Sequence, residues 1–459
     1  MPTPPLPSWI IQLPPGVLLV GGSARDLVRE EVPEDWDLVA IGESAAQAAQ
    51  AALTAAFGRP PVILGKRFPE ICWRFMVDGA QVDLVAAENL DADLRRRDFT
   101  LNALAMDPRS GAITDPLQGR EDLAQGIIRM TAPSVFAEDP VRLLRAHRFA
   151  AQFAFVLDAS TRAEMKAQSA RLATAAPERL TAELDALLQT PRAAAQLSAM
   201  RSDGTLFAAL PELLPIDGLT QNHYHHTDVL SHVLEAVAVA DDLPALSARV
   251  GGDFPALSGA DYLLLKWAVL LHDLGKAATR TEDPQGNVHF YGHELVSERL
   301  TRETGERLRF SGERTTRLAR LARFHLRLLF LHKNPPGPPA FRRLVRDLGD
   351  DLPLLIALAI ADKSATRGNA AAGTVDAIAA LGRRALQVHA DEHDHLRNLP
   401  KLVDGLHACE IIGIRPGRDL GRAMDALMDA QVAGSVSTGE AAELFLLEWA
   451  AAQRAAGSL

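Results

Sequence analysis

Residues 18–37 read LLVGGSARDLVREEVPEDWD, and this stretch decides how the N-terminal region folds. Val17–Val20 is a short apolar run of strand type, broken at Gly21-Gly22, with Ser23 placed to cap a helix that begins at once. A Gly-Gly turn into a helix start presents backbone N–H groups, which suits a phosphate, and Arg25 in the first turn adds a charged fork for the same anion. Thirteen positions after Gly22 comes Asp35-Trp36-Asp37, followed by apolar Leu38–Ile41. On a strand, residues i and i+2 share a face, so Asp35 and Asp37 project together and can hold Mg²⁺ against a triphosphate.

The chain has 459 residues, too many for one ordinary core, so about three or four domains are expected. Hydrophobic content of 47% and charge of 23% describe a globular protein. No apolar run reaches membrane-spanning length, and the start MPTPPLPSWI lacks the basic segment of a secretory signal. Cys72 and Cys409 lie far apart, which fits a reducing compartment without a disulfide framework. The expectation is a cytoplasmic protein with no membrane partner. A net charge of −10 does not by itself advertise nucleic-acid binding. Of the 48 basic residues, however, 7 are lysine and 41 arginine, the side chain suited to bidentate phosphate contacts. Local clusters therefore carry the argument.

Short β-like runs at 17–20, 38–41, 71–77 and 81–86, with an Ala-rich helix at 43–57, predict a small α/β head over 17–125. From about residue 120 strand signals almost vanish and amphipathic helices dominate. The Pro-rich residues 1–16 read as a flexible arm, and no internal repeat of fixed period is present. The fold class is α+β, a small head with a mixed sheet followed by a mostly α-helical remainder. The domains read as arm 1–16, head 17–125, helical neck 126–200, a histidine-bearing domain 201–370 and a helical tail 371–459.

The Gly-Gly turn and Asp-x-Asp, in strand–turn–helix–strand order, resemble the first motif of the polymerase-beta-like nucleotidyltransferases. More narrowly, the stretch is similar to the class II tRNA nucleotidyltransferase and bacterial poly(A) polymerase family. Leu94-Arg-Arg-Arg-Asp-Phe-Thr matches that family's Arg-Arg-Asp motif. The resemblance implies that Gly21, Gly22, Ser23 and Arg25 help bind a nucleotide, that Arg97 reaches its triphosphate or ribose, and that Asp98 orients it. It further implies that Asp35 and Asp37 are the catalytic Mg²⁺ ligands, with Asp83 a candidate third carboxylate.

Glu138-Asp-Pro-Val-Arg-Leu-Leu-Arg-Ala-His-Arg spaces Asp139, Arg142, Arg145 and Arg148 every three residues, along one slowly turning face if all are helical. It resembles the family's base-reading motif, which implies that Arg145 and Arg148 hold phosphates while Asp139 and Arg142 read the base. An aspartate accepts from the N4 amine of cytosine and an arginine donates to its N3 and O2. Adenine fits with a small shift, whereas uracil and guanine set a carbonyl against the carboxylate and are rejected. The pair implies use of CTP or ATP without a template. Pro177-Glu-Arg-Leu resembles a later helical motif that buttresses this helix, where Glu178 and Arg179 need not touch substrate.

In full CCA-adding members a flexible loop separates the Asp83-like strand from Arg-Arg-Asp. Here positions 84 to 95, twelve residues, separate Asp83 from Arg96. That departure resembles the CC-adding subgroup. The expected function is template-independent addition of two cytidines to the tRNA 3′ end, with a separate enzyme adding the final A. A full CCA-adding enzyme or poly(A) polymerase is the alternative.

His232, His272-Asp273 before Gly275-Lys276, His293, His325 and Asp362 resemble the HD superfamily of metal-dependent phosphohydrolases. The resemblance implies one metal on His232, His272, Asp273 and Asp362, with His293 and His325 completing a second position or binding phosphate; His226 is an alternative to His232. Imidazole with carboxylate suits a transition metal better than Mg²⁺ alone. A reading of another class makes the chain an HD phosphohydrolase with a non-catalytic RNA-binding head. In the tail, Ile411–Gly421 resembles a short family motif and implies tRNA contacts through Arg415, Arg418 and Arg422.

Overall fold

In the computed structural model, which describes residues 4–64, 72–77, 79–221, 227–252, 254–334, 337–366, 369–398, 401–432 and 434–455, the apolar run Val17–Val20 is strand β1. Gly21, at φ +60°, turns the chain straight into helix α1, Gly21–Val28. The helix thus starts two residues before Ser23, and the expected cap is inside it. Ser23 instead is fully buried and ties α1 to the next strand, accepting from Asp37 N (2.6 Å) and donating to Asp35 O (3.2 Å).

Strand β2, Trp36–Ile41, begins one residue after Asp35. Helix α2, Glu43–Phe57, buries Ala46, Ala49 and Leu53, a stripe at helical spacing that packs over the sheet. Strands β3 (Val62–Leu64), β4 (Cys72–Val77), β5 (Ala80–Ala87), β6 (Ala105–Met106) and β7 (Ile113–Thr114) complete a seven-stranded sheet of order β3-β4-β5-β2-β1-β6-β7. Its neighbours are antiparallel except β2 with β5, which run parallel and set Asp37 directly opposite Asp83. Helix α3, Leu90–Arg95, leads out of β5.

The N-terminal arm is not loose where it is described. Trp9 packs edge-on against Trp36 and Phe57, and Ile10 and Leu13 are buried, so the apolar content of 8–13 holds that segment to the head. Beyond residue 120 the described residues are mostly helical, with two short strand pairs among them, Ile127–Ile128 with Val156–Leu157 and Thr281–Glu282 with Val288–His289. The helices that bear on the site are α4 (Arg142–Phe153), α5 (Pro177–Leu188), α6 (Val229–Asp241), α7 (Gly259–Leu271), α8 (His293–Arg307), α9 (Gly312–Phe324) and α10 (Leu352–Ser364).

The chain divides into two compact units, Met1–Asn334 with Pro353–Ala380, and Pro335–Leu352 with Leu381–Leu459. In the second, α11 (Gly405–Ile412), α12 (Arg418–Val432) and α13 (Gly439–Ala455) bury Ala408, Ile412, Ala423, Leu427, Ala442 and Leu446 between them.

Two close approaches set the local geometry. A Cβ on Gly275 would lie 2.2 Å from His293 O and 2.7 Å from Ser297 N, so the first turn of α8 rests on a bare glycine. Gly275→Ala should push α8 away and destabilise this bundle by about 1–3 kcal/mol or more, read as a lower melting temperature. Ser23→Ala leaves the N–H of Asp37 without its acceptor and should cost about 1–3 kcal/mol, read as a lower urea midpoint for loss of the head.

Candidate functional site

The first cluster forms around the Gly-Gly turn. Gly22 N donates to Asp37 Oδ2 (3.1 Å), so this N–H is engaged by a carboxylate. A Cβ on Gly21 would stand 2.7 Å from Arg97 Nη1 and 3.0 Å from Asp37 Oδ2, and one on Gly22 3.6 Å from Arg25 Nη2. Gly21, Asp37, Arg97 and Arg25 therefore converge on one cradle that side chains at 21 or 22 would fill.

Arg97 is held there by a residue that spacing did not reveal. Asp93, 4% exposed, accepts from Arg97 Nε (3.1 Å) and Nη2 (2.9 Å), and from Arg96 Nε (3.0 Å) and Nη2 (2.6 Å). Its place one helical turn before the arginines was the available signal. Arg25 is less open than expected: its guanidinium bonds Asp26 (2.8 Å) and Asn102 Oδ1 (2.9 Å), and the Phe149 and Phe153 rings stack against it.

The three carboxylates of the head are engaged differently. Asp35 is exposed, precedes the strand, and accepts from Gln81 N (2.8 Å). Asp83 is gripped bidentately by Arg74 (2.8 and 2.7 Å) and also accepts from Gln81 Nε2 (3.0 Å). Asp37 is raised above the usual carboxylate range by burial, against the pull of Arg97 and the Gly22 N–H, and with a further push from Asp83. A buried acid whose charge is poorly compensated is a fitting oxygen ligand for a hard cation such as Mg²⁺.

The Asp139–Arg148 segment departs from a continuous helical face. Helix α4 starts at Arg142, while Asp139 is extended (φ −145°) at the end of the short helix Val135–Glu138. Asp139 is held from α5 by the Arg179 fork (3.1 and 2.7 Å), and Arg142 donates to Arg96 O (3.0 Å). Arg145 donates to Asp98 Oδ2 (2.9 Å) and faces Glu183 (3.4 Å); Arg148 donates to Glu183 Oε2 (2.6 Å) and Gln152 (3.1 Å). These two arginines, expected on phosphates, are thus engaged with carboxylates, because α5 brings Glu183 against them. Burial would raise the Asp98 carboxyl, but Arg145 and the amide of Asn102 hold it below the usual range.

The second cluster gathers six residues from five helices and the loop after α7. His232 is on α6, His272 ends α7 with Asp273 after it, His293 opens α8, His325 ends α9, and Asp362 is on α10. His232, His272 and Asp362 offer ligand atoms within 4.8 Å of one another, and so do His272, Asp273 and His325. His272, His293 and His325 each direct Nδ1 at the backbone carbonyl three residues earlier (2.7 Å), which fixes the rings with Nε2 inward. His293 Nε2 and His325 Nε2 then lie 3.2 Å apart, two lone pairs in need of a cation, and the buried His272 Nε2 has no hydrogen-bond partner. Burial and the neighbouring His272 and His293 push His325 down to about 3, while Lys276 lies 2.7 Å from Asp273. This donor set fits a transition metal. His223, His225 and His226 lie outside the described residues. In the tail, Arg415 is exposed and Arg422 bonds Asp419 and Gln453; the side chain of Arg418 lies outside the described ones.

Because folding raises the Asp37 carboxyl, its ionised form costs stability above that raised value and none below the ordinary one. Asp37→Asn should melt higher than wild type in metal-free buffer at about pH 7.5, with the gap closing below about pH 4.

Residues 17–129 match the poly(A) polymerase head domain, 154–216 the probable RNA and SrmB-binding site of polymerase A, and 229–367 the HD domain. An A-adding tRNA nucleotidyltransferase of Deinococcus radiodurans is 35% identical over 464 residues, spanning 97% of this chain and 98% of that protein. A CC-adding tRNA nucleotidyltransferase of Thermus thermophilus is 33% identical over 459 residues, spanning 96% and 95%. The Bacillus stearothermophilus CCA-adding enzyme in complex with CTP shares the fold at TM-score 0.58 and 23% identity, covering 96% of this chain and 94% of that one. Two relatives similar over nearly their whole length, with the head and HD matches in the same chain, show that this protein belongs to the class II tRNA nucleotidyltransferase and poly(A) polymerase family.

Proposed function

We propose that this chain adds cytidines from CTP to the tRNA 3′ end and stops after CC, leaving the terminal A to a separate enzyme of the cytoplasm. The observation that carries this reading is the connection between Asp83 and Arg96. Strand β5 runs on to Ala87, and Asn89 caps α3 by accepting from Ala92 N (3.0 Å), so residues 84–95 are consumed by regular structure. No length remains there for a loop that would reshape the pocket from CTP to ATP. The A-adding relative supports a second reading, adenylate transfer, in the same site.

In this proposal Asp35 and Asp37 would hold Mg²⁺, which when bound would lower the pKa of the primer 3′-OH and offset the charge of the leaving pyrophosphate. Arg97, set by Asp93, lies on the triphosphate beside Gly21 and Gly22. Asp139 takes the N4 amine of cytosine while Arg142 donates to its acceptors. Asp83, bound by Arg74, shapes the field around Asp37. The domain division is arm 1–16, head 17–125, neck 126–200, HD domain 201–370 and tail 371–459, with Arg415, Arg418 and Arg422 on tRNA phosphates. The histidine cluster is a second, phosphoester-hydrolysing centre using a transition metal, supported by the three inward Nε2 atoms.

Extension of a tRNA lacking its 3′ end, with CTP alone, ATP alone and both, followed by sequencing, tests the reading. Two C residues and no A are expected; CCA, or A alone on a CC end, overturns it. Asp37→Ala should lower transfer more than about 100-fold with tRNA binding kept. Hydrolysis of a 2′,3′-cyclic nucleotide with Mn²⁺, Co²⁺ or Ni²⁺, lost in His272→Ala, is expected of the second centre.

A further inference from the structure

Helix α5 touches the nucleotide-reading segment with one face and the histidine-bearing bundle with the other. Arg179 and Glu183, four residues apart, hold Asp139, Arg145 and Arg148. Thr181 and Asp185, also four apart, are displaced from the first pair by two residues, which is about 200° around a helix. Thr181 donates to Leu308 O (2.7 Å). Asp185 accepts from Trp267 Nε1 of α7 (2.7 Å) and from both Arg314 Nη atoms of α9 (2.7 and 2.6 Å). Arg314 in turn lies over the Phe310 ring (3.8 Å to its centroid), and Phe310 packs edge-on against Trp267.

A second contact fixes the far end of the same helix. Lys266, fully buried beside Trp267, donates to Thr190 O (2.6 Å), two residues past α5, and pairs with Asp241 (2.5 Å). Helices α7 and α9 thus hold α5 at its middle and its end. Asp139 is not on a helix of its own, and its carboxylate is oriented by α5 through Arg179.

We infer that Asp185 is a positioning residue for nucleotide selection: anchored by Trp267 and Arg314, it sets α5 and so the angle at which Asp139 meets the base. This rests on the reading of Asp139 and Arg142 as the nucleotide-selecting pair. A shift of α5 along its axis would move Arg179 and rotate the Asp139 carboxylate away from the amine it accepts from. Asp37 is held by groups of the head, the Gly22 N–H and the neighbouring Arg97, and by none from α5.

The test is steady-state tRNA extension by the full-length enzyme, with whichever nucleotide the wild type incorporates and with UTP as competitor. Asp185→Asn and Arg314→Ala should each raise KM for the correct nucleotide and lower discrimination against UTP by between about 2-fold and 30-fold, with kcat little changed. Arg314→Lys, which keeps the charge but not the two-pronged grip, should fall between Arg314→Ala and wild type. Combining Asp185→Asn with Arg179→Ala should add little beyond Arg179→Ala alone, since both act through one contact. Leu246→Ala, a core truncation in the helix Leu243–Val250, is the folding control, compared at matched stability. Unchanged KM and UTP discrimination in Arg314→Ala, or a change no larger than that of the control, overturns the inference, even if Asp185→Asn fails to fold. Asp139→Ala separates the two readings: if it leaves selection intact, the reading of Asp139 fails; if it alters selection while Arg314→Ala does not, only this inference fails.

Discussion

Two carboxylates facing each other on adjacent parallel strands are the constraint around which the head is arranged. Asp37 and Asp83 are in register on β2 and β5, and Asp83 adds to the burial that raises the Asp37 carboxyl. Removing charge from water is expensive unless partners replace the lost hydration. Arg74 satisfies Asp83 from β4, while Asp37 has the Gly22 N–H and the neighbouring Arg97. Arg97 can approach only because Gly21 has no Cβ, and it stays there because Asp93 holds its fork. The glycine turn, the arginine motif and the acid before it are therefore one electrostatic arrangement built from three separate segments.

The same logic extends into the helical part. Asn102 bonds Asp98 and Arg25; Asp98 binds Arg145, and Glu183 meets both Arg145 and Arg148. A chain of buried charge like this adds little net stability, since desolvation offsets much of the attraction. It does penalise any register in which one member loses its partner. The head and helix α4 are consequently fixed to one another by groups that cannot be left alone. In the histidine cluster the orienting groups are backbone carbonyls. Each of three imidazoles is turned by a carbonyl of its own chain segment, so ring direction follows from helix ends rather than from side-chain choice.

Local pattern made much of this readable. Val17–Val20 and Glu43–Phe57 are a strand and a helix with the expected bounds, because apolar runs and Ala-rich amphipathic spacing are short-range properties. The strand at 62–64 and the strands β6 and β7 leave no local pattern, being two or three residues long and stabilised by neighbours in the sheet. Ser23 is of a type that favours a helix cap; tertiary packing makes it a bridge to Asp35 and Asp37 instead. The prolines of 1–16 favour an open arm, whereas Trp9, Ile10 and Leu13 find apolar partners in the head.

By itself the sequence determined which chemistry the chain carries. A Gly-Gly turn, Asp-x-Asp and Arg-Arg-Asp are each confined to a few consecutive residues, the histidines of the second cluster recur in order between 232 and 325, and residue type alone restricts what they can bind. Only the tertiary structure decided which charges face which. Asp93 on Arg97, Arg74 on Asp83, Arg179 on Asp139 and Arg314 on Asp185 include partners as much as 129 residues apart. For the distant pairs, a carboxylate's partner is whichever cation the packed elements bring within about 3 Å, and that distance is a property of the fold; Asp93 with Arg97, four residues apart, is the pair whose spacing leaves a trace in the letters.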